Sequence, residues 1–436
     1  MSLKNFRGCC GSPDHGLNRR GFLGTTAAIG AGALAADMTV LSVLKDPLLA
    51  EEIKRQEKRV LLLWLAGGAS QLETWDPKPG RPTGGPFRAI DTNVPGIRIS
   101  ELMPKLAQRQ QHTAIIRSLN TKNADHGGGT ELMETGRPKE AGLAYPDLGA
   151  ILARELGRAD SPVPDYVSMY TSSEGRHKGG PGFLGARYAP MFLDKGLAPE
   201  NIQRLETITD LDHQERLDLR GLLSTRFARA RENSGIGSHN SAYSRVRGLM
   251  ASEKLFDLSQ ESEAMRVKYG PTQFGQQALV ARRLIEAGVP FVKVARAWWD
   301  SHGQNFETHL ELVTELDHVM STLLDDLGDR GLLEKTLVIT LGEFGRTPQI
   351  NPSLGRDHFA SAWSASLSGC GIKGGTVYGK TDDDGIKVAE GEVGAEALFA
   401  TIFNALGINH QKNYYVGARP IPLTNPGTKP ITEILA

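Results

Sequence analysis

Short apolar runs separated by helical patterns constrain the fold of this 436-residue chain more than any other feature of its sequence. Four such runs are typical of strands buried on both faces of a sheet. They lie at residues 59–66, 113–117, 290–295 and 336–341. An amphipathic helix is predicted at 276–287, and apolar residues at helical spacing predict another between the last two runs. These are Phe306, Leu310, Val313, Met320, Leu324 and Leu327.

The order strand, helix, strand within this length requires a crossover connection, and crossover connections join parallel strands. We therefore predict an α/β fold with a doubly wound, mostly parallel sheet and helices on both faces. Residues 59–436 form this domain, and a polar segment with helical rhythm at about 197–270 is predicted to be a helical insertion.

The first 35 residues have the pattern of an export signal. The pair Arg19-Arg20 precedes an uncharged stretch rich in Ala and Gly, followed by small residues near Ala35. This order predicts export by the twin-arginine route, to the periplasm or cell surface of a bacterium. The stretch is too short and glycine-rich for a membrane span, so none is predicted in the mature protein. Residues 36–58 are predicted to be a lead-in segment.

The charge balance excludes one class of partner. The chain has 50 basic and 50 acidic side chains, so no basic excess is available to neutralise phosphates along a nucleic acid. We predict no nucleic-acid partner.

Carboxylates and imidazoles follow the predicted strands. In open parallel sheets, ligands bind beyond the carboxyl ends of the strands, so these loops are the place to expect a site. Asp and His together suit one divalent cation such as zinc or manganese, with a position left open for a substrate oxygen. The candidates are His126, Asp300, His302, Glu343, Arg346, Arg356, Asp357 and His358.

Several of these residues have a structural alternative. Asp300 could cap the following helix, because Asp satisfies free N–H groups at a helix start. His126, beside three glycines, could close a turn. Glu343 could form an ion pair with Arg346.

The neighbouring residues predict different roles for the histidines His358 and His309. His358 is a candidate ligand, since Asp357 can orient its second ring nitrogen. His309 shares an apolar helix face with Phe306 and Val313, which predicts a core histidine.

After the export signal, the chain resembles a bacterial family of uncharacterised function, the domain of unknown function 1501. The motifs that carry the resemblance are Leu65–Gln71, Asp76–Pro79, Trp299–His302, Gly342–Pro348 and Gly355–His358. That family looks like a divergent branch of the alkaline phosphatase and sulfatase superfamily, whose members use divalent metals to hydrolyse or transfer phosphate and sulfate groups.

The resemblance implies one metal site. His302, with Asp317 fifteen residues later, looks like the metal-binding His that opens a helix in the superfamily. Asp300 looks like its carboxylate partner, although it precedes the His by two positions where the superfamily has four. His358 is similar to the last metal-binding His, which precedes a strand.

The second metal site of the superfamily is not matched. The first strand ends in Gly67-Gly68 instead of Asp, and the run at 336–341 leads to Glu343-Phe344 instead of Asp-His. The nucleophile position holds His126, which is neither a hydroxyl nor a thiol. A formylglycine sulfatase is excluded, because Cys370 lies far from that position.

These features predict an exported metal-dependent hydrolase that acts on phosphate, sulfate or related esters through one remodelled metal site. His126 and Glu343 are predicted to act as general acid or base or as additional ligands, and Arg346 to hold an anionic group. Arg356 and Asp357 are predicted to bind the substrate, a small anionic ester or glycan.

Two other functions fit the same sequence. The chain could be a catalytically inactive binding protein of the same fold that recognises an anionic glycan or a protein partner, with Arg346 and Arg356 lining a metal-free cleft. It could also serve as a scaffold at the cell surface, a role supported only by its Trp-rich and Gly-rich loops.

Overall fold

The structure is a computed structural model that describes residues 57–158, 161, 163–170, 179–194, 196–199, 205, 207–229, 243, 246, 248, 250 and 252–436. The predicted export signal, residues 1–35, lies outside the described residues. So does the predicted lead-in segment, except for residues 57 and 58.

Strands and helices alternate along the described chain. The strands are β1 (Arg59–Leu65), β2 (Ala89–Asp91), β3 (Arg98–Ser100), β4 (Thr113–Leu119), β5 (Tyr166–Tyr170), β6 (Met191–Asp194), β7 (Phe291–Arg296), β8 (Thr336–Leu341), β9 (Gly345–Arg346), β10 (His358–Phe359), β11 (Trp363–Gly369), β12 (Thr376–Tyr378), β13 (Lys380–Thr381), β14 (Val388–Glu390), β15 (Asn413–Val416) and β16 (Arg419–Pro422). The helices are α1 (Pro104–Ala107), α2 (His126–Thr135), α3 (Leu148–Leu156), α4 (Asp210–Arg229), α5 (Glu253–Phe256), α6 (Glu263–Tyr269), α7 (Gln273–Glu286), α8 (Asn305–Asp329) and α9 (Ala395–Ala405).

The central sheet has eight strands in the order β12-β4-β11-β8-β1-β7-β5-β6. All neighbouring pairs are parallel except β11, which runs antiparallel to both β4 and β8. The predicted α/β fold with a mostly parallel sheet is confirmed. The four predicted strands correspond to β1, β4, β7 and β8.

Helices cover both faces of the sheet. One apolar cluster joins side chains of α1, α7 and α8 to alternate residues of the strands, and a second cluster joins the opposite residues to α2, α3 and α9. The central strand β1 is apolar throughout because both of its faces are buried. Leu61 and Leu63 face one cluster, and Leu62 and Trp64 face the other.

The segment predicted to be a helical insertion contains α4, α5 and α6 among its described residues. No helix in the described part of the chain is long and apolar enough to cross a membrane.

A buried ion pair connects α2 to β7, the two elements that lead into the candidate site. The ammonium of Lys293 donates to the carboxylate of Glu134, and both side chains are buried. Burial alone would lower the pKa of Lys293, but the charge of Glu134 raises it overall, so the ammonium stays charged.

We expect Glu134→Leu to lower the free energy of unfolding by about 3 kcal/mol or more, because it leaves a buried ammonium without its partner. The double variant Glu134→Leu, Lys293→Met removes both charges and is expected to lose less. Urea denaturation of the three proteins measures this, and a double variant as unstable as the single one would contradict it.

His309 of α8 holds the loop that follows β1. The ring is fully buried, its Nδ1 donates to the carbonyl of Asn305 (2.9 Å), and its Nε2 accepts from the backbone N–H of Ser70 (2.9 Å). Burial lowers its pKa to about 4 from an ordinary 6.5. The prediction of a core histidine with satisfied nitrogens is confirmed.

This lowered pKa makes stability depend on pH. His309 of the unfolded chain binds a proton below about pH 6.5, whereas His309 of the folded chain binds one only below about pH 4. The free energy of unfolding is therefore highest above pH 6.5 and falls as the pH drops from 6.5 to 4. His309→Gln retains an acceptor for Ser70 and cannot titrate. We expect the stability advantage of the parent over this variant to shrink by about 2–3 kcal/mol from about pH 7 to about pH 4.5. Denaturation at both pH values tests this, and a constant difference would refute it.

Candidate metal centre

Three neighbouring parallel strands bring the candidate residues to one edge of the sheet. Strands β8, β1 and β7 are adjacent, so the loops after their carboxyl ends meet. The loop after β7 supplies Asp300 and His302, and the loop after β8 supplies Glu343. The short strands β9 and β10 follow, and they supply Arg346 and His358.

The glycines after β1 allow these loops to approach one another. Gly67 has a φ of 115°, and a Cβ atom there would lie 2.5 Å from the backbone nitrogen of Asp300. Its N–H donates to Oε1 of Glu343 (2.8 Å), and its carbonyl accepts from the guanidinium of Arg346. The backbone of Gly67 therefore connects the loop after β1 to Glu343 and Arg346.

Three imidazoles converge on the carboxylate of Asp300. Nε2 of His302 lies 3.1 Å from Oδ1, and Nε2 of His358 lies 3.0 Å from the same oxygen. Nε2 of His126 lies 3.0 Å from the other oxygen, Oδ2. Ligand atoms of His126, Asp300 and His358 all lie within 4.8 Å of one another.

The other ring nitrogens fix which atom carries the lone pair. Nδ1 of His358 donates to the carbonyl of Ala124 (2.8 Å), and Nδ1 of His302 donates to the carboxylate of Asp357 (2.7 Å). In the neutral rings, the Nε2 lone pairs of His302 and His358 then face each other across 3.0 Å. Such lone pairs repel unless a proton or a cation lies beside them.

Asp357 orients His302 and not His358, so the predicted partner of Asp357 is wrong. Adjacent residues of an extended segment point to opposite sides, so the carboxylate of Asp357 does not reach the ring of its neighbour His358. Both Asp357 and His302 are exposed to about half, at 56% and 50% of their side-chain surface. The centre is therefore open to solvent on this side.

His126 lies on the buried side of the centre. It begins α2, whose N-cap Asp125 accepts the N–H of Gly128 (2.8 Å), so the three glycines are helical and the turn alternative is wrong. Nδ1 of His126 lies 3.0 Å from Oε1 of Glu343. Hydrogen bonds to Asp300 and Glu343 raise the pKa of His126 to about 9, against the opposing effect of burial.

Glu343 is an oriented, buried carboxylate. Its Oε1 accepts from Gly67 and contacts His126, while its Oε2 is buried and has no hydrogen-bond partner among the described residues. The alternative of an ion pair with Arg346 is not what the structure shows, because Arg346 pairs with Asp300.

Arg346 is fully buried and holds Asp300 in place. Its Nη2 donates to Oδ1 of Asp300 (2.7 Å), and its remaining contacts are the carbonyls of Gly67, Gly68 (2.8 Å) and Arg356 (3.1 Å). Burial would raise the pKa of Asp300, but hydrogen bonds from His126 and Arg346 hold it far below its ordinary value. The predicted role of Arg346 in holding a substrate anion does not fit this placement.

Arg356 is also buried, and all five of its N–H donors are used inside the protein. Nε and Nη2 donate to Oε1 of Glu73, and the other donors reach the carbonyls of Thr83, Thr347 and Pro348. The predicted substrate-binding role of Arg356 does not fit, since this guanidinium has no donor left for a ligand.

Asp300 does not cap the helix that follows it. Helix α8 begins at Asn305, and its N-cap residue Gln304 makes no side-chain capping bond. Asp317 lies outside the centre, because its carboxylate accepts from the backbone N–H groups of Lys105 (3.1 Å) and Leu106 (2.7 Å).

Sequence reasoning missed two groups that support the centre. The carbonyl of Ala124 fixes the tautomer of His358, and a backbone acceptor carries no side-chain signal. The Gln71 amide pairs with both backbone groups of Arg346, at 2.8 and 2.9 Å. Gln71 lies within a motif of the family resemblance, Leu65–Gln71, and that was the available signal.

Several solved structures resemble this chain. The alkaline phosphatase from the Antarctic bacterium TAB5 has 13% sequence identity and a TM-score of 0.36, covering 80% of this chain and 98% of that one. The PsFucS1 sulfatase from Pseudoalteromonas sp. has 12% identity and a TM-score of 0.37, covering 86% of this chain and 72% of that one. The lipoteichoic acid synthase LtaP from Listeria monocytogenes has 10% identity and a TM-score of 0.36, covering 85% and 75%.

No curated protein matches the sequence. The family model described as "Protein of unknown function (DUF1501)" matches residues 57–435, which is most of the chain. The motifs at the ends of β1, β7 and β8 and around β10 all fall within this match. The protein therefore belongs to the DUF1501 family.

Proposed function

We propose that the protein is an exported hydrolase that uses one divalent cation, zinc or manganese, to cleave phosphate, sulfate or related esters. The observation that carries the proposal is the triangle formed by Oδ1 of Asp300 and Nε2 of His302 and His358, with edges of 3.0, 3.0 and 3.1 Å. Atoms that ligate one cation at about 2.0–2.2 Å lie about 3.0–3.5 Å apart, so this donor set fits such an ion.

The second ring nitrogens support the same assignment. Metal-binding histidines usually donate their other N–H to a carboxylate or a backbone carbonyl, which fixes the tautomer. His302 donates to Asp357 and His358 donates to Ala124 in this way. Three protein ligands with further positions open is the arrangement of catalytic sites, whereas structural sites are closed by four.

The charge around the triangle calls for a cation. The carboxylates of Asp300, Glu343 and Asp357 carry three negative charges and the guanidinium of Arg346 carries one positive charge. With neutral imidazoles the net charge is −2, since three minus one leaves two. A divalent cation balances it, and in the metal-free protein protonation of His126 balances part of it.

When bound, the cation supplies Lewis-acid charge that polarises an ester oxygen and lowers the pKa of water. His126 lies on the other carboxylate oxygen of Asp300, with Glu343 behind its second nitrogen, and this is the arrangement of an oriented general acid or base. Helix α2 begins at His126, so its positive dipole end favours an anionic ester group there.

The inactive binding protein has less support. It requires the arginines to line the cleft, but Arg346 and Arg356 are both buried and direct their donors to protein acceptors. Export remains part of the proposal on the strength of the Arg19-Arg20 signal.

Metal content tests the centre. We expect purified protein to bind near-stoichiometric zinc or manganese by plasma mass spectrometry, and the double variant His302→Ala, His358→Ala to bind none. His112→Ala, which removes an exposed imidazole before β4, is the matched control and should retain the metal. Asp357→Asn should weaken the affinity about 10- to 100-fold, because it disturbs only the partner of His302. An equal metal content in the double variant and the parent would refute the centre.

Hydrolysis of p-nitrophenyl phosphate, bis(p-nitrophenyl) phosphate and p-nitrophenyl sulfate tests the activity. We expect His126→Gln to keep the metal and to lower kcat/KM about 10²- to 10³-fold, since it removes proton transfer while sparing the triangle. If His126→Gln lost the metal as well, its role would be that of a ligand. A metal-loaded parent that cleaves none of the three esters would overturn their assignment as substrates.

A further inference from the structure

Trp298, two residues before Asp300, has an exposed indole on a strained backbone. Its φ is 80°, a region that bulky residues rarely adopt, and 57% of its surface is exposed. The other tryptophans, all within the described residues, are at most 3% exposed: Trp64, Trp75, Trp299 and Trp363. Strain that places a large aromatic ring in solvent points to a function for that ring.

The indole forms one wall of a cavity of about 350 Å³. The cavity lies at the carboxyl end of β7, between the first turn of α7 and the face of α8 that carries Glu311 and Glu315. The buried ring of Phe274 also lines it. This size suits one or two sugar rings or a molecule of similar bulk.

The charged side chains that line the cavity have a net negative charge. Nε of Arg296 donates to Glu315 (2.6 Å), and its Nη2 lies 3.8 Å from Glu311. Two carboxylates and one guanidinium leave a charge of −1, so the cavity repels an anion. Glu311 is 78% exposed and presents its carboxylate at the rim as a hydrogen-bond acceptor.

We propose that this cavity binds a neutral pyranose unit stacked on the indole of Trp298. A pyranose has a flat face of C–H groups that packs on an aromatic ring, and its rim of hydroxyls suits carboxylates and a guanidinium. The hydroxyls donate to Glu311 and Glu315 and accept from Arg296.

The cavity adjoins the metal centre along the chain. Trp298 and Asp300 are separated by one residue, so their Cα atoms are at most about 7 Å apart. A glycan bound here would present a neighbouring ester to the centre. That role rests on the proposed function, whereas binding of the sugar rests on the cavity alone.

Fluorescence quenching tests the binding, because Trp298 is the tryptophan that acrylamide reaches. The probes are the methyl β-glycosides of glucose, galactose and N-acetylglucosamine, with glucuronic acid as an anionic control. We expect at least one neutral glycoside to protect the indole from acrylamide quenching, with saturation as its concentration rises. Glucuronic acid should need an about tenfold higher concentration for the same protection. No protection by any neutral glycoside, or equal protection by glucuronic acid, would overturn the inference.

Variants separate binding from folding. Trp298→Ala and Trp298→Gly should both weaken calorimetric binding of the protecting glycoside about tenfold or more. Trp298→Gly also relieves the positive φ, so its Tm should not fall. Unchanged affinity in Trp298→Gly would contradict the stacking.

The metal-site variant keeps the two proposals apart. We expect His302→Ala, His358→Ala to bind the glycoside as the parent does. Glycoside binding by a parent that carries no metal would support the cavity and refute the hydrolase. Metal-dependent ester cleavage without glycoside binding would support the hydrolase and refute the sugar-binding cavity.

Discussion

The geometry of the centre depends on one buried guanidinium. Arg346 reaches from the loop after β8 to the carbonyls that follow β1 and to the carboxylate that follows β7, so it connects the ends of three adjacent strands. Because it is fully buried, each lost contact would leave a charged donor without a partner, which is costly in the interior. The position of Asp300, and with it the convergence of the imidazoles, follows from this anchoring.

Much of the fold could be predicted because its decisive strands are buried on both faces. Strands β1, β4, β7 and β8 read as continuous apolar runs, and the helices α7 and α8 between them show the helical period. Strand β5 was missed, since Tyr166–Tyr170 contains a central serine and two tyrosines. The antiparallel direction of β11 could not be predicted either. It depends on the path of the long connection 342–362, and no local sequence pattern encodes strand direction.

The candidate site was predictable to the extent that strand ends determine it. The residues after β7 and β8 had to meet once these strands were neighbours of β1, and Asp300 does meet His302 and His358. The burial of Arg346 could not be read from Gly-Glu-Phe-Gly-Arg, because a basic residue in a loop looks the same whether it faces substrate or carbonyls. Only the structure, which shows the hydrogen-bond acceptors around the guanidinium, distinguishes a substrate-binding arginine from a buried structural one.

The same glycine links the fold to the chemistry. At Gly67 any side chain would place its Cβ only 2.5 Å from the nitrogen of Asp300, so this backbone excludes a metal-binding Asp at the end of β1. Its N–H donates to Glu343, which in turn contacts His126. These contacts are coupled, because the close approach of the loops at Gly67 places the pair formed by Glu343 and His126 beside the single carboxylate of Asp300. Because His126 is an imidazole and not a hydroxyl, the chemistry of the proposed hydrolase is attack by water with proton transfer through His126.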